Sequence, residues 1–211
     1  MRNENTVRVP QQARSIEKRT RLIEAAMALF GEKGFQGTNA KEIARAAGVS
    51  VGTFYAYFTD KKALMLEILS QHMAEVDTSV FTELQAMVQA GATGREIMRR
   101  CVRLGHESHH HSPALLRIML AMRYTDEDFT RLAAAESKDM ITKLVGLLAA
   151  MGDHLRITDP EAAARVVANA FEETMHSVAV FGADIERDRL YEALADMTAV
   201  YLFKAPDTPL K

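Results

Sequence analysis

The chain has 211 residues, of which 48% are hydrophobic, and it carries a formal net charge of −2. This length fits one large domain or two small ones, and the apolar content supports a substantial core without disulfides. A single cysteine, Cys101, excludes a disulfide framework and fits a reducing compartment. Because no secretory leader and no apolar run of membrane-spanning length is found, we expect a soluble cytoplasmic protein.

The small net charge conceals an asymmetry between the two parts of the chain. Residues 1–62 contain eleven Lys and Arg against six Asp and Glu, which gives +5, and residues 63–211 contain fifteen against twenty-two, which gives −7. Basic segments attract the phosphates of nucleic acids, whereas an acidic segment is repelled by them. The N-terminal part is therefore the one expected to meet DNA.

Residues 1–14 show no apolar period and contain Arg2, Arg8 and Arg14. They are either a flexible tail or an arm of the kind that enters a minor groove. From residue 15 to 32 apolar side chains recur on one helical face, which predicts a first helix. The Lys33-Gly34-Phe35 segment then ends that helix and folds an aromatic ring back onto it.

Residues 38–64 predict two short helices joined by a tight turn. Asn39 caps the first of them, with Glu42 reaching back in a capping box, and Gly48 supplies the left-handed residue that ends it. Ser50 caps the second helix. Phe54 and Phe58 share one face of that helix, while Val51, Gly52 and Tyr55 occupy the other. This is the arrangement of a helix-turn-helix, whose second helix enters a major groove.

The next helix starts with Asp60 as its cap and Lys61 and Lys62 in its first turn. Cations at this end oppose the helix dipole. A helix N-terminus also binds phosphate, and a lysine beside it strengthens that site. The two lysines are therefore either a phosphate clamp or solvated surface residues, and their position after a recognition helix favours the clamp.

Residues 20–64 resemble the DNA-binding domain of TetR/AcrR-type bacterial transcriptional repressors. The matching positions are Thr20-Arg21, Ile23, Ala25-Ala26, Leu29-Phe30, Lys33-Gly34-Phe35, Thr38, Ile43-Ala44, Ala47-Gly48-Val49-Ser50, Gly52-Thr53, Tyr55, Tyr57-Phe58, Asp60-Lys61 and Ala63-Leu64. The resemblance implies a homodimer that binds a palindromic DNA operator and is released by a small-molecule inducer. Its expected DNA-binding residues are Asn39, Lys41, Arg45, Ser50, Val51, Gly52, Thr53, Tyr55, Tyr57 and Lys61.

One of these positions departs from the family pattern. Many members carry a lysine where this chain has Val51. A valine cannot hydrogen-bond guanine but can pack on a thymine methyl group. The operator sequence therefore cannot be taken from relatives.

The rest of the chain predicts further helices. A stripe from Met65 to Met87 steps by three and four residues and predicts one long helix, which a glycine-rich break at 91–94 ends. Ser112-Pro113 is a helix start with proline in the first turn, and the ALLRIMLAM run after it is expected to be buried. Acids at 126–128 open another helix, and Thr158 or Asp159 caps the next before Pro160.

The last two helices carry small and apolar residues that suit packing between helices. Periodicity alone leaves two interpretations, core within one chain or a dimer interface. The family resemblance favours the interface, because a twofold dimer reads two half-sites. Its expected residues are Val167, Phe171, Thr174, Val178, Phe181, Leu190, Leu194, Met197 and Tyr201.

The middle helices are rich in methionine, a residue that adapts to varied apolar shapes. These methionines are either ordinary core or the lining of a pocket for an apolar or amphipathic inducer, as the resemblance implies. The candidate ligand-binding residues are Met73, Met98, Arg103, His106, Met122, Glu136, Met140 and His176. Glu136 lies on the apolar side of its helix, and a buried carboxylate needs a partner.

The histidines from His106 to His111 offer a second hypothesis, a metal-responsive regulator, because His106 and His110 share one helical face. They equally suit a helix end, where histidines meet the dipole or solvent. No nucleotide-binding loop, nucleophile elbow or paired carboxylates indicate an enzyme, and no cofactor or resident metal is expected.

The sequence therefore predicts an all-α protein in three parts. Residues 1–14 form a flexible tail, residues 15–62 a three-helix DNA-binding domain, and residues 63–211 a helical ligand-binding and dimerisation domain joined to it by the long helix. The expected protein is a homodimeric repressor located in the cytoplasm, and at the nucleoid when bound to DNA.

Overall fold

The computed structural model describes the backbone of residues 11–110, 113–182 and 184–210, and their side chains except those of residues 11–13, 75–77 and 110. These residues form nine α-helices and no β-strand: α1 Gln11–Lys33, α2 Ala40–Ala46, α3 Val51–Tyr57, α4 Lys61–Gln89, α5 Gly94–His110, α6 Pro113–Arg123, α7 Glu127–Met151, α8 Pro160–His176 and α9 Arg187–Leu202. A π-helical segment, Ser177–Phe181, continues α8. The predicted all-α architecture, with a helix-turn-helix ahead of a helical domain, is confirmed.

The first helix starts earlier than the sequence predicts. Helix α1 begins at Gln11, so residues 11–14 are helical rather than part of a tail. Arg14 is exposed on this first stretch of α1. The rest of the predicted tail, including Arg2 and Arg8, lies outside the described residues.

The chain folds into two compact units, a first unit that ends at Leu69 and a second that starts at Ser70. The predicted boundary at residue 62 lies seven residues earlier. It differs because Leu64, Met65 and Ile68, near the start of α4, are buried and belong to the first unit. The long helix α4 thus contributes its first turns to the DNA-binding domain.

The core of the first unit forms where α1, α2 and α3 pack together. Leu22 and Phe30 of α1, Ile43 of α2 and Phe54 of α3 are at most 1% exposed. The ring of Phe35 lies 5.5 Å from that of Phe30, so the aromatic residue after α1 does fold back onto it. Burial of these large side chains holds the three short helices together.

The second unit has a large core to which α5, α7, α8 and α9 all contribute. The segment after α9 closes one end of it, with Phe203 and Leu210 buried. A Cβ on Gly94 would come within 2.5 Å of the Phe203 ring, so α5 can start here only with glycine. The amide of Arg95 also donates to the carbonyl oxygen of Pro206 at 2.9 Å.

The predicted helix starts in the second unit are mostly confirmed. Thr93 and Glu96 form a capping box at the start of α5, and Asp159 accepts from the amide of Ala162 at the start of α8. Helix α6 begins at Pro113, while Ser112 lies outside the described residues. In α6, only Leu115 and Leu116 are buried and Ile118 is partly exposed, so this helix is half-buried rather than enclosed.

No helix within the described ranges is long and apolar enough to cross a bilayer.

Candidate DNA-binding surface and ligand-binding unit

Side-chain caps fix the starts of α2 and α3. The Asn39 side-chain oxygen accepts from the amide of Glu42, and the Ser50 hydroxyl accepts from the amide of Thr53, both at 3.0 Å. Glu42 reaches back to the Asn39 side-chain amide rather than to its backbone N–H. Gly48 has φ +64°, the left-handed conformation expected at this turn.

The recognition helix α3 has one buried and one exposed face. Phe54 is fully buried and Phe58 is 4% exposed, whereas Val51 and Tyr55 are 38% and 57% exposed. An apolar face holds the helix on the domain, and the opposite face is open to a partner. Gly52 between them is also exposed, so no described residue covers this face.

Lys61 is held by the chain itself. Its ammonium donates to the carbonyl oxygens of Phe35 at 2.7 Å and Thr38 at 2.9 Å, and lies 3.5 Å from that of Gln36. It also sits 4.5 Å from the centre of the Phe35 ring. Burial lowers the pKa of Lys61. An ammonium has three donors, so a phosphate contact from Lys61 requires at least one of these bonds to be given up.

The other predicted contacts differ in how they are engaged. Lys41 and Arg45 are exposed on α2 and make no hydrogen bond or ion pair with any described residue. The Tyr57 hydroxyl lies 2.9 Å from that of Ser15 on α1, which fixes its ring. Lys33 and Arg19, in contrast, are paired with Glu42 and Glu67.

Arg21 was not among the predicted DNA-binding residues. Its Nε is buried and has no hydrogen-bond partner within the described part of the chain. One terminal nitrogen of its guanidinium lies 3.8 Å from the place where a Cβ on Gly48 would be. This cation therefore lies beside the turn of the helix-turn-helix, a position that its place in the sequence does not reveal.

The predicted ligand-binding residues all belong to the second unit but are not equally buried. Met98 and His176 are buried, and Met73, His106, Met122, Glu136 and Met140 are partly exposed. Glu136 has an interaction partner, as its burial requires. Arg103 is exposed, because it falls on the outer face of α5 opposite Val102 and Leu104. The structure does not place it among the others.

Buried and half-buried polar groups meet where α5, α6, α8 and α9 pack. His106 Nδ1 lies 3.0 Å from the Tyr191 hydroxyl, and the ring of His109 lies 5.1 Å from that of His176. Burial first, and then the charges of His109 and Arg123, lowers the pKa of His176 to about 4. Sequence gives no sign of this group, because its members are up to 85 residues apart.

The metal-responsive hypothesis finds no support. Within the described residues no group of three potential ligands could hold a metal ion. His106 and His109 are bonded to Tyr191 and to the carbonyl oxygen of Gly105. The side chain of His110 and all of His111 lie outside the described residues. Burial raises the pKa of the Cys101 thiol to about 12, which keeps it protonated and unreactive.

An apolar face lies exposed on the last two helices. Val166 of α8 and Met197, Val200 and Tyr201 of α9 are 57%, 55%, 48% and 42% exposed, and we refer to these four residues as the α8–α9 face. The last three line an open groove of about 810 Å³.

Only part of the predicted dimer set lies on this face. Met197 and Tyr201 do, and Phe181 is 80% exposed in the π-helical segment. Leu194 is instead 5% exposed in the core of its own chain, and Val167, Phe171 and Val178 pack against that core, while Thr174 and Leu190 are partly exposed. Periodicity selected the wrong neighbour in α8, because Val166 rather than Val167 faces outward.

Together the capped turn, the exposed recognition helix and the helical second unit define a DNA-binding transcription regulator of the helix-turn-helix class. Residues 22–68 match the family model described as bacterial regulatory proteins, tetR family. Residues 95–202, just over half of the chain, match a tetracyclin repressor-like C-terminal domain. The chain belongs to the tetR family of bacterial regulatory proteins. Membership confirms the predicted class, a regulator and not an enzyme.

Three relatives illustrate the similarity. A TetR-family regulator from Mesorhizobium loti superposes with a TM-score of 0.74 at 21% identity, over 90% of this chain and 98% of that one. Thermus thermophilus FadR, a TetR-family repressor solved with lauroyl-CoA, gives 0.64 at 27% identity, over 87% and 94%. The repressor KstR2 of Rhodococcus jostii is 28% identical over 55% of this chain and 56% of its own. The chain thus spans about half the length of this curated relative.

Proposed function

We propose that this protein is a transcriptional repressor that binds a palindromic operator as a homodimer. A small apolar or amphipathic ligand in the second unit would release it. The observation that carries the proposal is the recognition helix, whose buried face rests on the first unit while Val51, Gly52 and Tyr55 are exposed. A DNA-binding regulator acts where the chromosome is, which places it in the cytoplasm and at the nucleoid.

The exposed side chains divide into two kinds of DNA contact. Val51, Gly52, Thr53 and Tyr55 would approach base edges or flanking phosphates in the major groove. Asn39, Lys41, Arg45, Ser50 and Tyr57 would contact the backbone. Lys41 and Arg45 are the strongest candidates, because both are exposed and make no hydrogen bond or ion pair with a described residue.

Lys61 has two possible roles at this surface. The sequence predicts a direct phosphate contact. Its bonds to the carbonyl oxygens of Phe35 and Thr38 support a positioning role, in which the start of α4 is tied to the segment between α1 and α2. The two roles differ in salt dependence, since only a direct contact releases a counterion.

Homodimerisation through the last two helices is supported by the α8–α9 face. Four large apolar side chains exposed on adjacent helices are typical of an interaction site rather than of a solvated surface. A second copy would cover them in a twofold arrangement, in which the same patch serves both subunits. Two recognition helices would then read two half-sites.

The nature of the ligand is supported by one relative. The FadR structure with lauroyl-CoA is 27% identical and is matched over 94% of its length. A long-chain acyl group is apolar and would suit the core of the second unit, to which Met98, Met151 and Met175 contribute. We therefore propose an acyl-chain ligand, such as an acyl-CoA, as the inducer class.

Selection from a randomised duplex library tests the function, because the protein itself picks out its operator from the library. We expect enrichment of an inverted repeat whose half-sites are separated by a multiple of a helical turn. The double variant Lys41→Ala, Arg45→Ala should select the same sequence with weaker binding and a salt slope lower by about 0.9 per lost contact. Failure of the natural protein to enrich any sequence would contradict the proposal.

A further inference from the structure

His176 is a buried polar residue whose hydrogen-bonding capacity is not met. Three polar residues are buried in the described part of the chain, namely Thr38, His176 and Thr198. Thr38 and Thr198 donate to backbone carbonyl oxygens at 2.9 and 2.7 Å. His176 makes no hydrogen bond to a described residue, although buried polar groups are almost always bonded.

The groups around His176 determine what could bond to it. The Nδ1 of His109 lies 2.8 Å from the carbonyl oxygen of Gly105, which can only accept, so Nδ1 carries a proton. In a neutral ring the Nε2 of His109 is then an acceptor. The ring of His176, 5.1 Å away, adds one donor and one acceptor of its own.

The charges near these rings are already balanced. Glu172, one turn before His176 on α8, lies 3.8 Å from the guanidinium of Arg123. Burial raises the pKa of Glu172 and lowers that of His176. A further carboxylate would lie near Glu172, and an ammonium would lie near Arg123 and a desolvated imidazole. Either charge would be poorly accommodated.

The backbone beside His176 also departs from regular helix. Helix α8 ends at His176, and the π-helical segment Ser177–Phe181 follows directly. Arg117 of α6 donates to the carbonyl oxygen of Val180 in this segment at 3.2 Å. Such segments occur frequently at functional sites.

We propose that His176, together with His109 and Glu172, binds the uncharged oxygen group, a hydroxyl or carbonyl, of an otherwise apolar ligand. This proposal rests on the proposed function, because it names the chemistry of the inducer. A hydroxyl both donates and accepts and a carbonyl accepts, so each meets the capacity that the His176 ring leaves open without adding charge. The buried side chain of Met175, adjacent in sequence, would contact the apolar part.

Calorimetric titration of the full-length protein with three probes of one chain length tests the chemistry. We would use 1-dodecanol, dodecanoate and dodecylammonium, each below its aggregation concentration, at pH 7.5. Dodecanol should bind about tenfold more tightly than either charged probe, the effect of one buried hydrogen bond. His176→Leu should reduce that preference to threefold or less, and the control His154→Leu should preserve it.

A conservative variant and a second measurement keep the test decisive. His176→Asn retains an amide and should keep part of the preference. If His176→Leu does not fold, ring ¹⁵N shifts of His176 in the natural protein should still move on addition of dodecanol and not of dodecanoate. Equal affinities for the three probes, tighter binding of dodecanoate, or no binding of any probe would overturn the proposal.

The two proposals fail separately. Operator selection and operator binding without ligand test the regulator, and neither depends on His176. A protein that binds its operator but shows no preference for dodecanol would lose only the ligand chemistry. A protein that prefers dodecanol through His176 but selects no DNA sequence would lose the repressor role.

Discussion

The two units of this chain satisfy their polar groups in different ways. In the first unit the helix caps bond to amides three residues away, at Asn39, Ser50 and Asp60. In the second unit the pairs Arg95–Asp207 and Arg99–Glu192 join residues about a hundred positions apart. Local bonding sets a rigid surface of fixed shape, whereas distant bonding makes a polar interior that depends on how the helices pack.

The largest expected effect is the loss of the aromatic residue beneath the recognition helix. Phe54→Ala removes a fully buried ring and should lower the free energy of unfolding of the first unit by about 3–5 kcal/mol. Specific operator binding should be lost with it. Chemical denaturation monitored by circular dichroism, together with operator titration, would measure both.

The neighbouring Tyr55→Ala is the matched control, because Tyr55 is 57% exposed. It should change the free energy of unfolding by less than about 0.5 kcal/mol and still weaken operator binding. Equal destabilisation by both variants would show that the two faces of α3 are not distinct.

How far the sequence predicts the structure follows the same division. The caps at Asn39 and Ser50 and the left-handed Gly48 are local signals, and each is confirmed. The relation of His176 to His109 depends on residues 67 positions apart, which no local pattern reports. Periodicity likewise finds a helical face but not its direction, so Leu194 is assigned to an interface although it lies in the core.

Lys61 tests an exception within the first unit, since its bonds span 23 to 26 residues. Lys61→Met keeps the aliphatic stem and removes the ammonium. It should lower the free energy of unfolding by about 1.5–3 kcal/mol, because carbonyl oxygens lose a charged donor. Operator affinity should fall without a change in salt slope. A slope lower by about 0.9 would identify a direct phosphate contact instead.

His176 provides the corresponding test in the second unit, with pH as the variable. Its pKa is depressed from 6.5 to about 4, so the native state favours the neutral ring. That contribution to stability is complete above pH 6.5 and is lost as pH falls towards 4, because unfolded chains gain the proton first. Between pH 6.5 and 5 the loss should approach about 2 kcal/mol.

The charged neighbours of His176 require a comparison with a variant. Glu172 has a raised pKa and acts in the opposite direction, and His109, Arg123 and Arg165 complete the set of charges in this group. Subtracting the pH profile of His176→Leu from that of the natural protein isolates the one residue. Parallel profiles from pH 7 to 5 would show that the ring is not desolvated in solution.

The smallest effect compares one helix cap from each unit. Ser50 caps α3 and Asp126 caps α7, each through a side-chain oxygen that accepts a backbone amide at 3.0 Å. Replacement by alanine should cost about 1 kcal/mol in either case, measured by denaturant unfolding. Ser50→Ala should also weaken operator binding, because that cap sets the start of the recognition helix, and Ser50→Thr should restore it. Asp126→Ala should leave operator affinity unchanged. Equal loss of operator binding in both alanine variants would mean that the DNA-binding surface responds to general stability rather than to its own local caps.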